Sequence, residues 1–312
     1  MVRVGVDVGG TGIKVGILNE ENAIIGKGTI PTRTDRPFRY QVEDIAKCVL
    51  DTLKAAQTDL DDVVSVGVGI PGIASPAGVV IKCTNMGWNH VPFREEFNHY
   101  LNKPVHIAND ADVAALGESI AGVSAGTSSS VFITIGTGIG SGIIINNRIW
   151  NGFHGIGGEL GHVILRMDGE PCTCGNHGCL ERYCSATALI RMGREAAAEH
   201  PESKILSYAA GDPEKISARC VIDAARENDP AAVAVYEMFI RSLGQAIANV
   251  VNFLDPEVIV LGGGVSRAGA FLLDRVREEY RKYVIFGDQP MPDVKLAQLG
   301  SDAGIIGAAM LS

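Results

Sequence analysis

The chain has 312 residues, of which 46% are apolar, and this length favours two domains over one. A formal net charge of −9 argues against nucleic acid or an anionic membrane surface as the main partner. Neither a secretory signal pattern nor an apolar run long enough to span a bilayer occurs, so the sequence predicts a soluble, cytoplasmic protein.

The first predicted elements are two strands joined by a glycine-rich turn. Residues 2–7 form an apolar run that ends in Asp7, apolar residues return at 15–18, and a third strand is predicted at 23–30. The turn consists of residues whose backbone N–H groups are open to a ligand: Gly9, Gly10, Thr11 and Gly12. Such N–H groups can bind a phosphate, and Asp7 beside them is a candidate ligand for Mg²⁺, directly or through water.

The next segment is predicted to contain a helix over residues 42–53 and a buried strand over 63–70. Residues 73–90 are predicted to form a loop. Its polar residues Thr84 and Asn85 either face a small polar ligand or only form a turn.

A strand predicted at residues 104–108 is followed by a helix that begins at Asn109 or Asp110. The carboxylate of Asp110 has two interpretations. It is either a helix cap or a general base that takes the proton of a hydroxyl attacking a phosphoryl group. The glycine turns on either side of it favour the base.

An internal repeat supports a nucleotide site. A shift of 126 residues aligns Gly10, Thr11, Gly12 and Ile13 with Gly136, Thr137, Gly138 and Ile139, and each copy lies between apolar strands. Two related halves, each with a phosphate-binding turn, imply a nucleotide in the cleft between them. Ile133 replaces Asp7 in the second copy, so only the first half is expected to hold the metal. Neither a Rossmann turn nor a P-loop pattern is present.

Residues 158–181 contain a metal-site spacing of one imidazole and three thiols, from His162, Cys172, Cys174 and Cys179. Four such ligands suit a structural zinc ion. The alternatives are disulfides or four unconnected thiols, although Cys172 and Cys174 are too close in sequence to pair without strain.

Two glutamates flank these ligands. Glu159 precedes His162 by three residues and Glu181 follows Cys179 by two, so one ion would fix both carboxylates. Carboxylates of this kind can accept hydrogen bonds from several sugar hydroxyls. The alternative is two solvated surface glutamates.

A long helix is predicted to begin at Asp229 and Pro230, and a buried strand at 258–261 ends in Gly262, Gly263 and Gly264. The three glycines either let an adenine and ribose approach the backbone or form a plain strand-to-helix turn. The last helix opens with Ser301 and Asp302, and its small residues predict close packing onto the first domain.

Five motifs together resemble the ROK family of sugar kinases and sugar-responsive repressors, and within it the bacterial glucokinases. They are Asp7-Val8-Gly9-Gly10-Thr11, Asn109-Asp110-Ala111, Gly136-Thr137-Gly138-Ile139-Gly140, Gly158-Glu159-Leu160-Gly161-His162, and the cysteine segment that ends in Gly178-Cys179-Leu180-Glu181. The resemblance implies an α/β protein with the actin-like, ribonuclease H-like ATPase fold, in which two similar domains enclose a cleft. The expected domains are residues 1–118 with 300–312, and residues 119–299.

The resemblance also implies a function, the ATP-dependent phosphorylation of a hexose, with glucose converted to glucose 6-phosphate. Asp110 would be the general base, and the implied cofactors are ATP, Mg²⁺ and a structural Zn²⁺. The implied sugar ligands are Thr84, Asn85, Asn109, Asp110, Glu159, His162 and Glu181. The implied ATP-binding residues are Asp7, Gly9, Gly10, Thr11, Gly12, Gly136, Thr137, Gly138, Gly262, Gly263 and Gly264. Relatives imply a homodimer or homotetramer.

Two positions depart from the family pattern. Family members often have Asn where Asp112 stands, and Asn or Lys where Gly12 stands. The first departure changes the charge near the sugar, and the second leaves phosphate contacts to the backbone.

Other functions stay open at this stage. The acceptor could be N-acetylmannosamine, N-acetylglucosamine, allose, mannose or fructose. A sugar-sensing regulator that lacks its DNA-binding domain is a second class, and an actin-like ATPase or chaperone that does not act on sugars is a third.

Overall fold

The computed structural model describes residues 1–311, which form three β-sheets and ten α-helices. The strands are β1 (Val2–Val8), β2 (Gly12–Leu18), β3 (Ile24–Pro31), β4 (Val63–Ile70), β5 (Ile73–Ala74), β6 (Val80–Cys83), β7 (Trp88–Val91), β8 (Val105–Asn109), β9 (Ser129–Ile135), β10 (Ile139–Ile145), β11 (Arg148–Ile149), β12 (Val258–Gly262) and β13 (Asp293–Leu296). The helices are α1 (Phe38–Ala55), α2 (Phe93–Leu101), α3 (Asp110–Ala121), α4 (Glu181–Cys184), α5 (Ala186–Glu199), α6 (Lys204–Tyr208), α7 (Ala218–Arg226), α8 (Pro230–Leu254), α9 (Ala270–Tyr280) and α10 (Ala303–Ala309).

The first sheet has the strand order β3-β2-β1-β4-β8. β1 and β2 are antiparallel, as are β2 and β3, whereas β4 runs parallel to β1 and β8 parallel to β4. Alternation along β1 places Val4 and Val6 on one face, where they join a buried core with residues of α1 such as Ile45. Gly5 lies on the opposite face, which α10 covers.

Glycines allow α10 to lie directly on this sheet. A Cβ atom added to Gly5 would overlap the carbonyl oxygen of Ile305, and one added to Gly67 would overlap that of Ala308. A side chain at either strand position would push the helix away, so glycine is required by the close approach. The predicted packing of the last helix onto the first domain is confirmed.

The second sheet repeats the arrangement of the first, with the strand order β11-β10-β9-β12-β13. β10 and β11 are antiparallel, and β12 and β13 are parallel. In both sheets the first three strands in sequence form a meander. The next two strands extend the sheet on the other side of its first strand. The duplication inferred from the 126-residue shift therefore extends to the topology.

Residues 73–91 form a small third sheet of order β5-β6-β7, so the prediction of a loop over 73–90 was wrong. Burial explains the difference, because Cys83, Met86 and Trp88 are all in the core. The Trp88 ring packs edge-on against Phe38, with ring centroids 5.6 Å apart. Consecutive apolar residues such as Val79, Val80 and Ile81 do not show the apolar–polar alternation of a half-buried strand.

The helix and strand positions predicted elsewhere agree with the structure. The side chain of Asp229 caps α8 by accepting a hydrogen bond from the N–H group of Ala232, and Pro230 is the first residue of that helix. No helix within residues 1–311 combines the length and apolarity needed to cross a bilayer.

Contacts divide the chain into two compact units. The first consists of Met1–Phe132, Gly142–Gly158 and Gln298–Ser312, and the second of Ile133–Ser141 and Glu159–Ala297. The domain boundaries expected from the sequence, after residues 118 and 299, stay a prediction.

Candidate active site

The first glycine turn joins β1 to β2. It is closed by a hydrogen bond from the N–H group of Gly9 to the carbonyl oxygen of Gly12 (3.0 Å), and the hydroxyl of Thr32 donates to the carbonyl oxygen of Gly9 (2.6 Å). Gly10 and Thr11 are exposed at its tip. The side-chain amide of Asn85 lies beside Gly10, 4.0 Å from where a Cβ atom would be. The structure thus brings Asn85 to this turn.

Asp7 is the last polar residue of β1 before the turn, and it faces Lys14 across the β1–β2 pair. Its Oδ2 atom is 3.7 Å from the Nζ atom of Lys14. Burial raises the pKa of the Asp7 carboxyl above its ordinary value, and the nearby Lys14 partly offsets that rise. A second cation beside Asp7 would further favour the ionised form.

The second glycine turn joins β9 to β10, and it is closed by a hydrogen bond from the N–H group of Gly136 to the carbonyl oxygen of Gly138 (3.0 Å). Unlike the first turn, it is held by a carboxylate. Glu181 Oε2 accepts a hydrogen bond from the N–H group of Ile139 (2.9 Å). The hydroxyl of Thr187 also donates to the carbonyl oxygen of Thr137 (2.7 Å). Residues around α4 and the start of α5 therefore fix this turn.

Asn109 and Asp110 lie where β8 ends and α3 begins, as predicted. Asn109 is the N-cap, because its Oδ1 atom accepts a hydrogen bond from the N–H group of Ala111 (2.8 Å). Asp110 is the first helical residue, and its Oδ1 atom is 2.9 Å from the same N–H group. The cap position thus belongs to Asn109, which leaves a second role open for the half-buried Asp110.

The segment around Thr84 is electrostatically linked to Asp110. Burial raises the pKa of the Cys83 thiol to about 11, and the charge of Asp110 adds to the rise. Thr84 and Asn85 follow Cys83 and are exposed in a 3-10 turn, Thr84–Met86. Thr84 and Asn85, which the sequence suggested as ligand-facing, lie in the same compact unit as Asp110.

The four predicted zinc ligands converge. Their ligand atoms all lie within 4.8 Å of one another. The Sγ atoms of Cys174 and Cys179 are 3.5 Å apart, and Cys172 Sγ is 3.7 Å from His162 Nδ1. All seven cysteines of the chain are free thiols, so the disulfide alternative is not formed.

Tight turns bring these ligands together. Gly175 and Gly178 have φ angles of +97° and +76°, which side chains rarely adopt. A Cβ atom on Gly178 would also overlap the carbonyl oxygen of Arg166. The N–H group of Cys172 donates to the carbonyl oxygen of Asn176 (2.8 Å). The loop is therefore folded by its own backbone bonds around the cluster.

The two flanking glutamates are held at the ends of the cluster. The carbonyl oxygen of Glu159 accepts a hydrogen bond from the N–H group of His162 (3.0 Å), and its side chain is exposed. Glu181 is the first residue of α4 and is only half-buried. The alternative of two solvated surface glutamates does not fit Glu181, whose carboxylate bonds the second glycine turn, but it does fit the exposed side chain of Glu159.

Of the glycines at the end of β12, Gly264 borders a cavity that the sequence did not reveal. Gly263 has a φ angle of +84°, and a Cβ atom there would meet the backbone of Ile135. Beside Gly264 is a cavity of about 520 Å³. Its walls come from α5, α7 and the 3-10 turn Val265–Ala268, and include Ile190, Ser217, Ile222, Asp223, Val265 and Arg267. The apolar face of α7 is visible in the sequence, but nothing in it indicates that α5 and α7 meet at a glycine turn.

The chain is similar over its whole length to known proteins. The family model described as ROK family matches residues 3–312. The chain is 37% identical to a glucokinase of Halalkalibacterium halodurans, over 99% of this chain and 94% of that protein. It is 36% identical to a glucokinase of Thermotoga maritima, over 99% of this chain and 96% of that protein. A crystal structure of a ROK family glucokinase from Streptomyces griseus in complex with glucose and AMPPNP is 34% identical, covers 99% of this chain and 98% of its own, and superposes with a TM-score of 0.83.

Proposed function

The chain belongs to the ROK family, and we propose that it transfers the γ-phosphoryl group of ATP to the 6-hydroxyl of a hexose, with glucose as the preferred acceptor. It is an ATP-dependent sugar kinase with the actin-like ATPase fold of its structural relatives. The observation that carries the proposal for the site is the position of Glu181. It follows the thiol cluster in sequence, and its carboxylate accepts a hydrogen bond from the second glycine turn. One side chain would therefore contact both the sugar and the turn that binds phosphate.

Asp110 acts as the general base. It takes the proton of the attacking sugar hydroxyl as the bond to phosphorus forms, while the bond to the leaving ADP oxygen breaks. Asn109 already caps α3, so helix stability does not require the Asp110 carboxylate for that purpose. The positive end of the helix dipole stabilises the ionised carboxylate at this position.

Polar side chains from the segments described above hold the sugar. Glu181 accepts from a sugar hydroxyl through Oε1, since Oε2 is used by Ile139. Glu159 accepts from another hydroxyl, and Asn109 uses its amide. Thr84 and Asn85 complete the set. Several hydrogen bonds to one hexose give discrimination, because a sugar that lacks one hydroxyl or inverts it leaves a polar group of the site unpaired.

The nucleotide binds to the glycine turns and the adjoining cavity. The phosphates bind to backbone N–H groups of residues 9–12 and of Gly136, Thr137 and Gly138. Asp7 would hold Mg²⁺, directly or through water, and the ion would offset the charge of the phosphates. The adenosine enters the cavity beside Gly264, where Ile190 and Ile222 offer apolar surface to the base.

The cluster of His162 and the three cysteines fits a structural zinc ion. A tetrahedral site with Zn–S bonds of about 2.3 Å places its sulfur atoms about 3.8 Å apart. The Sγ atoms of Cys174 and Cys179 are 3.5 Å apart, close to that spacing, and all four ligand atoms lie within 4.8 Å of one another. The ion would fix the loop that carries Glu159 and Glu181. Because Nδ1 of His162 faces the thiols, Nε2 is left to bind a sugar hydroxyl.

From the resemblance to the family we propose that the enzyme is a cytoplasmic homodimer or homotetramer. The acidic net charge supports the absence of nucleic acid and anionic membrane partners.

The deciding experiment measures ADP release by the purified protein with ATP and Mg²⁺ against a panel of sugars. The panel contains glucose, mannose, fructose, allose, N-acetylglucosamine and N-acetylmannosamine. We expect the highest kcat/KM with glucose. A higher value for another sugar would reassign the acceptor, and ADP release unaffected by any sugar would favour the actin-like ATPase alternative. Specific DNA binding in a gel-shift assay would favour the regulator.

A further inference from the structure

Glu118 is a fully buried carboxylate in the last turn of α3. Its Oε1 atom accepts hydrogen bonds from the backbone N–H groups of Gln298 (2.9 Å) and Leu299 (2.8 Å). Its Oε2 atom accepts one from the N–H group of Val123 (2.9 Å). Gln298 lies 180 residues after Glu118, so one side chain joins two distant segments of the first unit.

These bonds require a carboxylate rather than any polar side chain. Three N–H donors share two oxygen atoms, and a buried charge is stable only where such bonds replace water. Glutamine has the same shape but only one acceptor oxygen, so its NH₂ group would face either Val123 or the pair Gln298 and Leu299. The substitution Glu118→Gln would therefore leave at least one buried N–H group without an acceptor.

Residues 298 and 299 lead directly into α10 through the 3-10 turn Gly300–Asp302. α10 packs on α3 without intervening side chains. A Cβ atom on Gly117 would overlap the carbonyl oxygen of Ala303, and one on Gly307 would overlap that of Val113. Because the two helices are packed without free space between them, a displacement of residues 298 and 299 would shift α10 against α3.

α10 also contacts Asp7. A Cβ atom added to Gly304 would lie 2.9 Å from the Cγ atom of the Asp7 carboxyl group. Asp110 is at the opposite end of α3 from Glu118. α10 therefore touches both the carboxylate proposed for Mg²⁺ and the helix that carries the proposed base.

We infer that Glu118 is a positioning residue for phosphoryl transfer. By holding residues 298 and 299 it fixes α10 against α3, and thereby sets the position of Asp7 relative to Asp110. The inference rests on the proposed function for the roles of Asp7 and Asp110. The three hydrogen bonds of Glu118 do not depend on those roles.

The test compares Glu118→Gln with the control Phe97→Leu. Phe97 is buried in the core of the same unit and stacks on Phe93, so the control loses stability through a cavity away from α10. Both variants are assayed well below their Tm for kcat and for the Mg²⁺ concentration that gives half the maximal rate. We expect Glu118→Gln to lower kcat about 10-fold or more, because small displacements of reacting groups are costly. It should also raise the Mg²⁺ requirement, and Phe97→Leu should change neither.

Hydrogen exchange followed by mass spectrometry measures the hydrogen bonds directly. We expect peptides that contain Val123, Gln298 and Leu299 to exchange faster in Glu118→Gln and not in Phe97→Leu. Faster exchange with unchanged kcat and Mg²⁺ requirement would overturn the positioning role, and unchanged exchange would overturn the contact itself. A wild-type protein without sugar-dependent ADP release would instead reject the proposed function, and the exchange result would still stand.

A second variant keeps the test decisive if Glu118→Gln does not fold. Glu118→Asp keeps the charge but shortens the side chain by one methylene. Its carboxylate therefore cannot bond both the N–H group of Val123 and those of Gln298 and Leu299. The same measurements and the same outcomes then apply to this variant.

Discussion

The turn between β1 and β2 and the turn between β9 and β10 occupy the same position in two sheets of the same strand order, yet their surroundings differ. The first turn has Asp7 and Lys14 beside it, and its tip is exposed. The second has Ile133 in place of Asp7, and Glu181 binds its backbone. The two turns thus differ in one residue inside the repeat, Asp7 against Ile133, and in one residue from outside it, Glu181.

The proposed base, Asp110, lies in the first unit, and its loss should have the largest effect. Asp110→Asn should lower kcat about 10³-fold or more, since general base catalysis is worth about 10² to 10⁴-fold. Sugar affinity, measured by calorimetry, should change little, because the amide keeps the shape of the side chain. Asp51→Asn, on the exposed face of α1, is the control. Retained turnover in Asp110→Asn would refute the role.

The proposed zinc site, His162 with the three cysteines, lies in the second unit, and its loss should weaken sugar binding. Cys179→Ser should abolish stoichiometric zinc in elemental analysis. It should also raise the sugar KM about 10- to 100-fold, the range of losses seen when residues that support a metal site are mutated. The reason is that Glu159 and Glu181 lose their common anchor. Cys220→Ser, a buried cysteine outside the cluster, is the matched control and should keep zinc and activity. A zinc-free protein with unchanged sugar KM would contradict the proposal.

Asp7 has no counterpart in the second turn, and Asp7→Asn should raise the Mg²⁺ concentration needed for half the maximal rate about 10-fold. The pH dependence has a definite sign. Because burial raises the Asp7 pKa, the protonated form persists to higher pH than for an ordinary carboxyl, so the wild-type Mg²⁺ requirement should rise as the pH falls. This rise should disappear in Asp7→Asn. A requirement that depends on pH equally in both proteins would exclude Asp7 as its source.

The smallest predicted difference is between equivalent glycines of the two turns. A Cβ atom on Gly12 would lie 3.6 Å from the carbonyl oxygen of Ile30, an ordinary contact, whereas one on Gly138 would overlap Oε2 of Glu181. We expect Gly12→Ala to leave the sugar KM unchanged and Gly138→Ala to raise it about 3- to 10-fold, since one displaced hydrogen-bonding carboxylate is worth about 1 kcal/mol. Tm should change little in either variant, because the Glu181 side chain can move. Equal KM values would show that Glu181 does not bind sugar.

Much of this arrangement could be predicted from the sequence because it depends on local patterns. The apolar runs and glycine turns indicated the paired strands, the 126-residue shift indicated the repeat, and the ligand spacing indicated the cluster that His162 and the cysteines form. The preference of short polar side chains for N-caps indicated a helix start at Asn109 or Asp110, and Asp229 with Pro230 indicated another.

The features that sequence reasoning missed depend on contacts between distant segments. Glu118 lies near the end of an ordinary helix, where a glutamate would be expected to face solvent, and its partners are 180 residues away. The cavity beside Gly264 needs α5 and α7 to meet, which no local pattern specifies. The prediction of a loop over residues 73–90 failed because burial of Trp88 against Phe38 depends on α1.

The position of α10 in the chain has a consequence for protein synthesis. Its residues cover the glycine face of β1 and β4, yet the ribosome makes them after the whole of Glu159–Ala297. At translation rates of about 5 to 20 residues per second, that face of the N-terminal sheet stays exposed to solvent for many seconds before α10 is made. We therefore expect the nascent chain to bind a chaperone at the N-terminal sheet, and the later-made unit to complete its core first.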